Sequence, residues 1–450
     1  MLQSIAQYRP VTAKKLTESR YWENLSEGYR KLFVVASEVL PFRVNEYVLE
    51  KFIDWSAPED DPMFRLLFPQ EGMLSKSQFD RIEAAQKATS AELHEAVRVV
   101  RGELNPHPAG QMTDNIPTLG EDIVDGIQHK YAETALFFPG AGQTCHAYCS
   151  FCFRWPQFVG EPAWKIQARE AEQAVSYLRL HPEITDILIT GGDPLIMNSK
   201  NLRRYVEPFL RVDSLKTIRI GSKAVTYWPH RFLADADAAE LLSLFEEIVA
   251  AGKSLAFMAH LTHWRELEPP EVRSAISAIR ATGATIRTQA PLLKHVNDDP
   301  AVWAKLWTDC TAMGIHPYYM FVERDTGPCG YFRVPLWRAH EVYSTAISRV
   351  SGLSRTARGP VMSSHPGKVM IDGIVEVHGQ KALSLRFLQA RNPKFVGRVF
   401  LAEFDETASW LDDLRPLSGG KFFFETTETS VEPLVVQRAA PEKIAGSVHA

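Results

Sequence analysis

The stretch Cys145-His-Ala-Tyr-Cys149-Ser-Phe-Cys152 contains three of the five cysteines of the 450-residue chain. Its C-x-x-x-C-x-x-C spacing supplies three thiolates, one fewer than a [4Fe-4S] cluster needs for full ligation, so one iron would stay open to a substrate or cosubstrate. Cysteines on one face of a helix would show the same steps of four and three. A zinc site would need a fourth nitrogen or sulfur ligand, and the sequence has no second cysteine pair. The Gly/Pro-rich segment 137–144 just before it favours a loop and hence the cluster.

Composition excludes several classes of function. Hydrophobic residues make up 45% of the chain, charged residues 23%, and the net charge is -4, which gives no electrostatic reason to expect nucleic acid or an anionic membrane as a partner. The first ten residues lack the apolar core of a signal peptide, and no stretch approaches the length of a membrane span. An odd, clustered set of cysteines favours a reducing compartment. We therefore expect a cytoplasmic protein.

The length of the chain predicts one main domain with appendages. Residues 1–102 show helical periodicity and are expected to form a helical region that acts as a cap or a dimer element. Residues 103–120 are rich in proline and glycine, which is typical of a linker. The main domain is predicted over 121–350, followed by a C-terminal segment with a small β-rich appendage over 351–433 and a disordered tail over 434–450.

Short β-rich runs alternate with helical stretches after the linker, which predicts repeated βα units and a parallel sheet. We expect strands near 133–138, 186–190, 216–220, 254–260, 284–290 and 316–321. We expect helices near 163–180, 199–210, 236–251, 270–281, 299–313 and 338–349. Six such units do not close an eight-stranded barrel. In parallel β/α barrels the active site lies at the C-terminal ends of the strands, where the cysteine stretch also falls.

Polar residues follow four of these strands. They occur in the segments Gly191-Gly192-Asp193, Arg219-Ile-Gly-Ser222-Lys223, His260-Leu-Thr-His263 and Arg287-Thr-Gln289, the last followed by Asn297-Asp298. Each segment alone has an ordinary structural explanation: a Gly-Gly pair serves a tight turn, and a single histidine or glutamine is commonly a satisfied polar group. Their common position at strand ends makes them candidate site residues.

Taken in order, these motifs resemble the radical S-adenosylmethionine (SAM) enzymes, and among them the lysine 2,3-aminomutase family, over roughly residues 115–375. The resemblance implies an α/β fold, a partial (β/α)6 radical SAM barrel with the N-terminal helical region and the small C-terminal appendage. It also implies that Cys145, Cys149 and Cys152 bind a [4Fe-4S] cluster. The residues expected to bind SAM are Gly191, Gly192, Asp193, Ser222, His260 and Gln289.

The resemblance extends to pyridoxal 5′-phosphate (PLP). Lys368, in Ser363-Ser-His-Pro-Gly-Lys368, stands where the family has the lysine that forms a Schiff base with PLP, although the glycine run is shorter here. A lysine partly buried beside apolar neighbours loses its proton more easily and becomes nucleophilic. Lys130 and Tyr131 resemble the basic residue and tyrosine near PLP. Arg154 stands where the family binds the substrate α-carboxylate, a group that arginine recognises with two hydrogen bonds.

The sequence departs from the lysine-specific members at two positions. Those members place two aspartates around the substrate side-chain ammonium, whereas here the first position is Arg324, unless a local shift brings in Asp325, and the second is Val361. A buried ammonium without a carboxylate costs several kcal/mol. We therefore assign Arg324 to substrate binding and predict that the substrate is not lysine, but glutamate or another acidic or neutral amino acid. The family's C-terminal metal-binding cysteines are also absent, because no cysteine follows Cys329.

The reaction implied by the resemblance is that of an isomerase. Reductive cleavage of SAM gives a 5′-deoxyadenosyl radical, which takes hydrogen from Cβ of the PLP-bound amino acid, and the amino group moves from Cα to Cβ. The expected partners are this small-molecule amino acid, an electron donor such as flavodoxin or ferredoxin, and further copies of the chain in a homo-oligomer. Two other functions stay open: a PLP-independent radical SAM enzyme, including one that acts on a protein lysine, and a non-catalytic iron-sulfur or zinc-binding regulator.

Overall fold

The structure, a computed structural model, describes residues 7–105, 115–160 and 164–425. The predicted tail at 434–450 lies outside the described residues, as does the middle of the predicted linker. Within the described ranges, no helix has the length and apolar character needed to cross a bilayer.

Residues 7–103 are mainly helical, and they pack against the cysteine loop. The sequence begins each of two helices with a capping box, at Ser75 and Thr89, whose side chains accept from the third residue of the helix. The apolar faces join a cluster that also contains Phe151 and Tyr227 from the later chain. The elements are β1 (Pro10–Thr12), α1 (Ala13–Thr17), α2 (Glu27–Val39), β2 (Arg43–Asn45), α3 (Glu46–Lys51), α4 (Pro62–Leu67), α5 (Lys76–Ala85) and α6 (Ser90–Glu103).

A large mixed sheet follows, and it contains a strand at each of the six predicted positions. The remaining strands are β3 (Thr118–Leu119), β4 (Asp122–Ile123), β5 (Ile127–Tyr131), β6 (Thr134–Phe137), β7 (Asp186–Ile189), β8 (Thr217–Ser222), β9 (Ser254–His260), β10 (Thr285–Leu292), β11 (Ile315–Val322), β12 (Arg358–Ser363), β13 (Gly367–Val377), β14 (Gln380–Ala390) and β15 (Val399–Glu403). Among the described residues, β5 to β15 lie side by side in chain order as eleven strands. Neighbours from β6 to β12 are parallel, whereas β5 and β13–β15 pair antiparallel with their neighbours.

Helices connect the parallel strands and cover one face of the sheet. They are α7 (Glu172–Leu180), α8 (Ser199–Leu210), α9 (Ala224–Tyr227), α10 (Ala238–Ala250), α11 (Pro270–Ala281), α12 (Pro300–Ala312), α13 (Cys329–Phe332) and α14 (Leu336–Ser348). The helix predicted near 163–180 begins only at Glu172. Before it, Ile166 donates its N–H to the side chain of Gln157, and Ala168 forms a β-bridge with Pro139, so these backbone groups are committed to other partners.

Side chains alternate between the two faces of each strand, and this alternation separates the apolar core from the candidate site. Ile187, Ile189, Ile218 and Ile220 pack in the cluster that includes the helices. Because successive side chains of a strand point to opposite faces, Arg219 projects to the other face. A charged residue between two buried isoleucines therefore marks the face on which polar chemistry is located.

Candidate active site

The cysteine stretch is a loop that follows β6, and no helix runs through residues 145–152. The helical alternative is therefore wrong. Burial, together with the charges of neighbouring thiols, raises the pKa of the Cys152 thiol to about 12 and that of the Cys145 thiol well above its usual range. Closely spaced, buried thiols of this kind lose their protons when a metal cation compensates the charge.

The arrangement of possible ligands distinguishes a single metal ion from a cluster. Among the residues that the structure describes, no three His, Cys, Asp or Glu side chains are grouped as ligands of a single metal ion. A four-iron cluster is larger than one ion, and the three thiolates that hold it stand further apart than the ligands of a mononuclear site. Three thiols on one loop, whose charges act on one another, are in accord with such a cluster.

The N-terminal region fixes the backbone of the cysteine loop. Asn45, which is fully buried, donates from Nδ2 to the carbonyl of His146 at 3.2 Å. The N–H of Tyr148 donates to the carbonyl of Arg43, and the N–H of Ser150 donates to the carbonyl of Leu66, each at 2.8 Å. Main-chain groups of the loop are thus satisfied by residues about a hundred positions earlier in the chain.

The loop after β7 is held tightly against the cysteine loop. Gly191 has φ +141°, and a Cβ atom there would collide with the side chain of Gln143. A Cβ on Gly192 would lie 2.5 Å from the backbone nitrogen of Thr144, whose carbonyl accepts the N–H of Asp193 at 2.7 Å. Gly192 is required by this close approach of two backbones, and Gly191 is required by its positive φ.

Asp193 and Ser222 connect the ends of β7 and β8. The Asp193 carboxylate, which is 3% exposed, accepts from the Ser222 hydroxyl at 2.8 Å and from the N–H groups of Lys223 and Leu195 at 2.9 Å. Burial raises its pKa, and these hydrogen bonds oppose that effect. The sequence assigned both residues to SAM; in the structure they hold two loops of the candidate site together.

His260, the last residue of β9, lies opposite Gln289 within β10, and Gln289 in turn lies opposite Tyr319 on β11. Burial lowers the pKa of His260 to about 3, so its imidazole is neutral. Its Nε2 and the Oε1 of Gln143 are buried and have no hydrogen-bond partner among the described residues. Buried polar atoms without partners are exceptional in proteins, and here they suit a polar ligand beside the cysteine loop.

Lys368 lies on β13 between Ser363 of β12 and Gln389 of β14. Its Nζ donates to Oε1 of Gln389 at 2.8 Å and lies 4.8 Å from the ring centroid of Tyr319 and 5.4 Å from that of Tyr131. Burial lowers the pKa of Lys368 to about 7. The neutral amine, which is the nucleophilic form, is therefore well populated near neutral pH.

A second lysine faces the same tyrosine. Lys130 donates from Nζ to the hydroxyl of Ser363 at 3.1 Å, and this Nζ lies 5.8 Å from the ring centroid of Tyr131. Its pKa is lowered well below the usual range, first by burial and then by the charges of Arg324 and Lys368. An anionic ligand near these two lysines would stabilise their protonated forms.

Arg154 and Arg324 continue this positive region toward the cysteines. Their guanidinium groups lie 4.9 and 5.1 Å from the ring centroid of Phe153. The pKa of Arg154 is lowered to about 10 by burial, while the Cys152 and Cys145 thiols act to raise it. We define the cation pocket as Lys130, Tyr131, Arg154, Arg324 and Lys368.

The position assigned to the missing second aspartate is apolar. Val361 is fully buried and pairs with Met370 of β13. Residues two apart in a strand share a face, so Val361 lies on the same face of β12 as Ser363, the acceptor for Lys130. No carboxylate is provided at this point.

The candidate segments in the sequence include Arg219, but they do not include Gln389 or Asp186, which also lie near the cation pocket. Gln389 binds Lys368, and Asp186 and Arg219 influence its pKa. Arg219 carried a signal, a charge within an apolar strand, whereas Gln389 carried none. Two surface clefts elsewhere, one lined by Tyr29 and one by Lys165, include none of the predicted site residues.

Comparison with known proteins gives the relatives of this chain. No protein-family model matches it. A protein of Aquifex aeolicus provisionally named L-lysine 2,3-aminomutase is 29% identical over 404 residues, which cover 90% of this chain and 96% of that protein. L-lysine 2,3-aminomutase of Bacillus subtilis is 25% identical over 70% of this chain and 66% of that enzyme.

One solved structure, a radical SAM methyltransferase from Sphaerobacter thermophilus, has 16% sequence identity and a TM-score of 0.37 over 52% of this chain and 67% of that chain. A likeness this low carries no argument, and the relationship rests on the sequence relatives. They confirm the resemblance given by the motifs: the chain is homologous to the proteins named L-lysine 2,3-aminomutase.

Proposed function

We propose that this protein is an isomerase, a radical SAM and PLP-dependent 2,3-aminomutase that acts on an acidic amino acid such as glutamate. The observation that carries the proposal is the cation pocket, where a lysine with a pKa of about 7 lies beside a second lysine and two arginines next to a three-cysteine loop. The relatives support the aminomutase class. The chemistry of the pocket supports the cofactor and the substrate class.

The cysteine loop and the strand ends would hold the first two cofactors. Cys145, Cys149 and Cys152 would ligate a [4Fe-4S] cluster, and Gly191, Gly192, Asp193, Ser222, His260 and Gln289 would surround SAM. When bound, the cluster and SAM supply an organic radical, and PLP stabilises the radical that forms on the substrate. Support comes from the buried thiols and from the unpartnered His260 Nε2 in the described part of the chain.

The cation pocket would hold PLP. Lys368 is the candidate for covalent attachment, because its low pKa makes the amine reactive at neutral pH and Gln389 fixes its Nζ. Lys130 and Lys368 both lie near the ring of Tyr131, so Lys130 and Tyr131 would face a cofactor attached to Lys368. The excess of positive charge suits its phosphate.

The two arginines would recognise the substrate. Arg154 lies near the cysteines and would bind the substrate α-carboxylate. Arg324, whose guanidinium lies 5.1 Å from the ring centroid of Phe153, would meet the side chain of the substrate. An ammonium beside Arg324 would meet the guanidinium at close range, and the charge of Arg324 already disfavours the ammonium form of Lys130. Like charges about 4 Å apart near a protein surface repel by about 4 kcal/mol, so a carboxylate is favoured over an ammonium by a wide margin.

We extend the proposal to the setting of the enzyme. Strands β6 to β11 with their helices would curve into a partial (β/α)6 barrel, with 1–102 as a cap and 351–433 completing the lysine side of the site. A cytoplasmic location would provide the reduced flavodoxin or ferredoxin that the cluster needs. These statements are expectations that go with the proposed reaction.

The test begins with anaerobically purified protein supplied with PLP and reduced with borohydride. Peptide mass spectrometry is expected to find pyridoxyl-lysine at Lys368, and the Lys368→Met variant serves as the control for the neighbouring Lys130, which separates into a different peptide. With SAM and a reductant, glutamate is expected to yield a β-amino acid faster than lysine does. A label at neither lysine, on protein with an intact cluster, would favour a PLP-independent reaction instead, and equal or faster turnover of lysine would refute the substrate assignment.

A further inference from the structure

Tyr227 has a hydroxyl group that contacts a cysteine of the loop. It ends the short helix α9, directly after β8, and is 1% exposed. Its hydroxyl lies 3.6 Å from Sγ of Cys149, within hydrogen-bonding distance for sulfur. A phenol carries a proton that it can donate, whereas a thiolate can only accept, so the hydroxyl is the donor toward a metal-bound Cys149.

The position of this hydroxyl is fixed from several sides. The backbone carbonyl of Tyr227 accepts from Asn45 Nδ2 at 3.0 Å, the same amide group that donates to His146 inside the cysteine loop. Oδ1 of Asn45 accepts the N–H of Val48 and so caps α3. One buried side chain therefore sets the spacing between the tyrosine and the loop.

A nearby positive charge is already compensated. Lys223 Nζ lies 4.6 Å from the ring centroid of Tyr227, but it forms an ion pair with the fully buried Glu266 at 2.6 Å and donates to the carbonyl of His260. The Glu266 carboxylate compensates the charge of the Lys223 ammonium within this pair. The hydroxyl of Tyr227 is then the directed polar group at this sulfur.

We propose that Tyr227 is a positioning residue for the metal centre, whose hydroxyl donates a hydrogen bond to the Cys149 thiolate and raises the reduction potential of the cluster. The inference rests on the proposed function, because it requires a [4Fe-4S] cluster on these cysteines. One-electron reduction adds negative charge that is shared by the sulfur ligands, so a donor at sulfur stabilises the reduced cluster more than the oxidised one. Cluster reduction by a physiological donor is easier as a result.

The experiment compares reduction potentials in three reconstituted proteins. Wild type, Tyr227→Phe and Tyr8→Phe are loaded anaerobically with iron and sulfide and titrated with titanium(III) citrate, and the reduced cluster is followed by electron paramagnetic resonance. Tyr227→Phe is expected to have a more negative potential than wild type. Tyr8→Phe is the matched control and is expected to keep the wild-type potential, because the Tyr8 hydroxyl donates to the carbonyl of His146 rather than to sulfur.

The outcomes separate the two proposals. A wild-type protein that takes up no [4Fe-4S] cluster would overturn the proposed function and this inference together. A cluster that forms in all three proteins with one common potential would overturn the inference alone. If Tyr227→Phe does not retain the cluster, a second variant with 3-fluorotyrosine at position 227 is measured. Fluorine makes the hydroxyl a stronger donor, so the reduction potential is expected to become less negative than that of wild type. An unchanged potential would again overturn the inference.

Discussion

Gln389 offers a direct way to change the reactivity of Lys368 without touching the lysine itself. Its Oε1 accepts the hydrogen bond of Lys368 Nζ at 2.8 Å. The change Gln389→Glu keeps the length and shape of the side chain and replaces a neutral acceptor by a carboxylate. A carboxylate at this distance stabilises the ammonium form, so the pKa of Lys368 is expected to rise.

The size of the effect follows from the charges involved. Lowering a lysine pKa from 10.5 to about 7 corresponds to about 5 kcal/mol against the charged form. A carboxylate near 4 Å attracts an ammonium by about 4 kcal/mol at an effective dielectric constant of about 20, and desolvation of the new carboxylate removes part of this. A net rise of about two pKa units lowers the neutral fraction at pH 7.5 from roughly three-quarters to a few per cent, a loss of about 25-fold.

The assay measures the rate of PLP attachment at Lys368, trapped by borohydride after short exposures between pH 6 and 10 and quantified by mass spectrometry. Gln389→Glu is expected to be about 25-fold slower at pH 7.5 and to recover as the pH approaches 10. The control is Gln389→Met, which removes the acceptor without adding charge and should be no slower than wild type at pH 7.5. A Gln389→Glu profile that coincides with the wild-type profile, or a wild-type midpoint near 10, would refute the burial and contact argued for Lys368.

Three further predictions concern charge and close packing. Arg324→Asp is expected to change the ratio of lysine to glutamate turnover by about 100-fold or more in favour of lysine, as a reversal of several kcal/mol requires, and an unchanged ratio would place Arg324 outside the substrate site. Gly192→Ala puts a Cβ 2.5 Å from the backbone of Thr144, so it is expected to lower the free energy of unfolding by about 1–3 kcal/mol and to weaken SAM binding. The control is Gly28→Ala, which adds a Cβ in open space on a helix and is expected to leave the protein equally stable or more stable. Lys368 has a folded-state pKa below its unfolded value, so the unfolded chain binds the extra proton between about pH 7 and 10.5. In urea titrations, wild type is therefore expected to gain stability relative to Lys368→Met as the pH rises through this range, by up to about 5 kcal/mol. A difference that does not depend on pH would contradict this.

The parallel part of the sheet could be predicted because its signals are local. Each strand is a short apolar run, and the residues that follow it, such as Gly191 or His260, must then lie along one edge of the sheet. The helix boundary near 163 could not be placed, because Gln157 and Pro139 take up backbone groups that helical periodicity alone would assign to a helix.

The lysine side of the site depends on pairing that no local pattern contains. Lys130 on β5 and Lys368 on β13 are more than two hundred residues apart in sequence. They come together around Tyr131, with Lys130 bonded to Ser363, only after the strands at both ends of the sheet have paired. Gln389 faces Lys368 because of the register between β13 and β14, which includes irregularities. Register is a tertiary property, so the resemblance could suggest Lys368 but the sequence could not supply its partner.

Asn45 and its neighbours bear on where this protein can be divided. The linker suggests that the chain could be cut there into a helical piece and a sheet-containing piece. The main-chain donors of Tyr148 and Ser150, however, end on the carbonyls of Arg43 and Leu66, and Asn45 bridges the loop to Tyr227. A fragment that starts after the linker would carry all three cysteines and yet leave these donors without acceptors, at a cost of about 1–3 kcal/mol for each one that stays buried. All three cysteines lie after the linker in sequence, but the residues that hold their loop in place come from both sides of the linker.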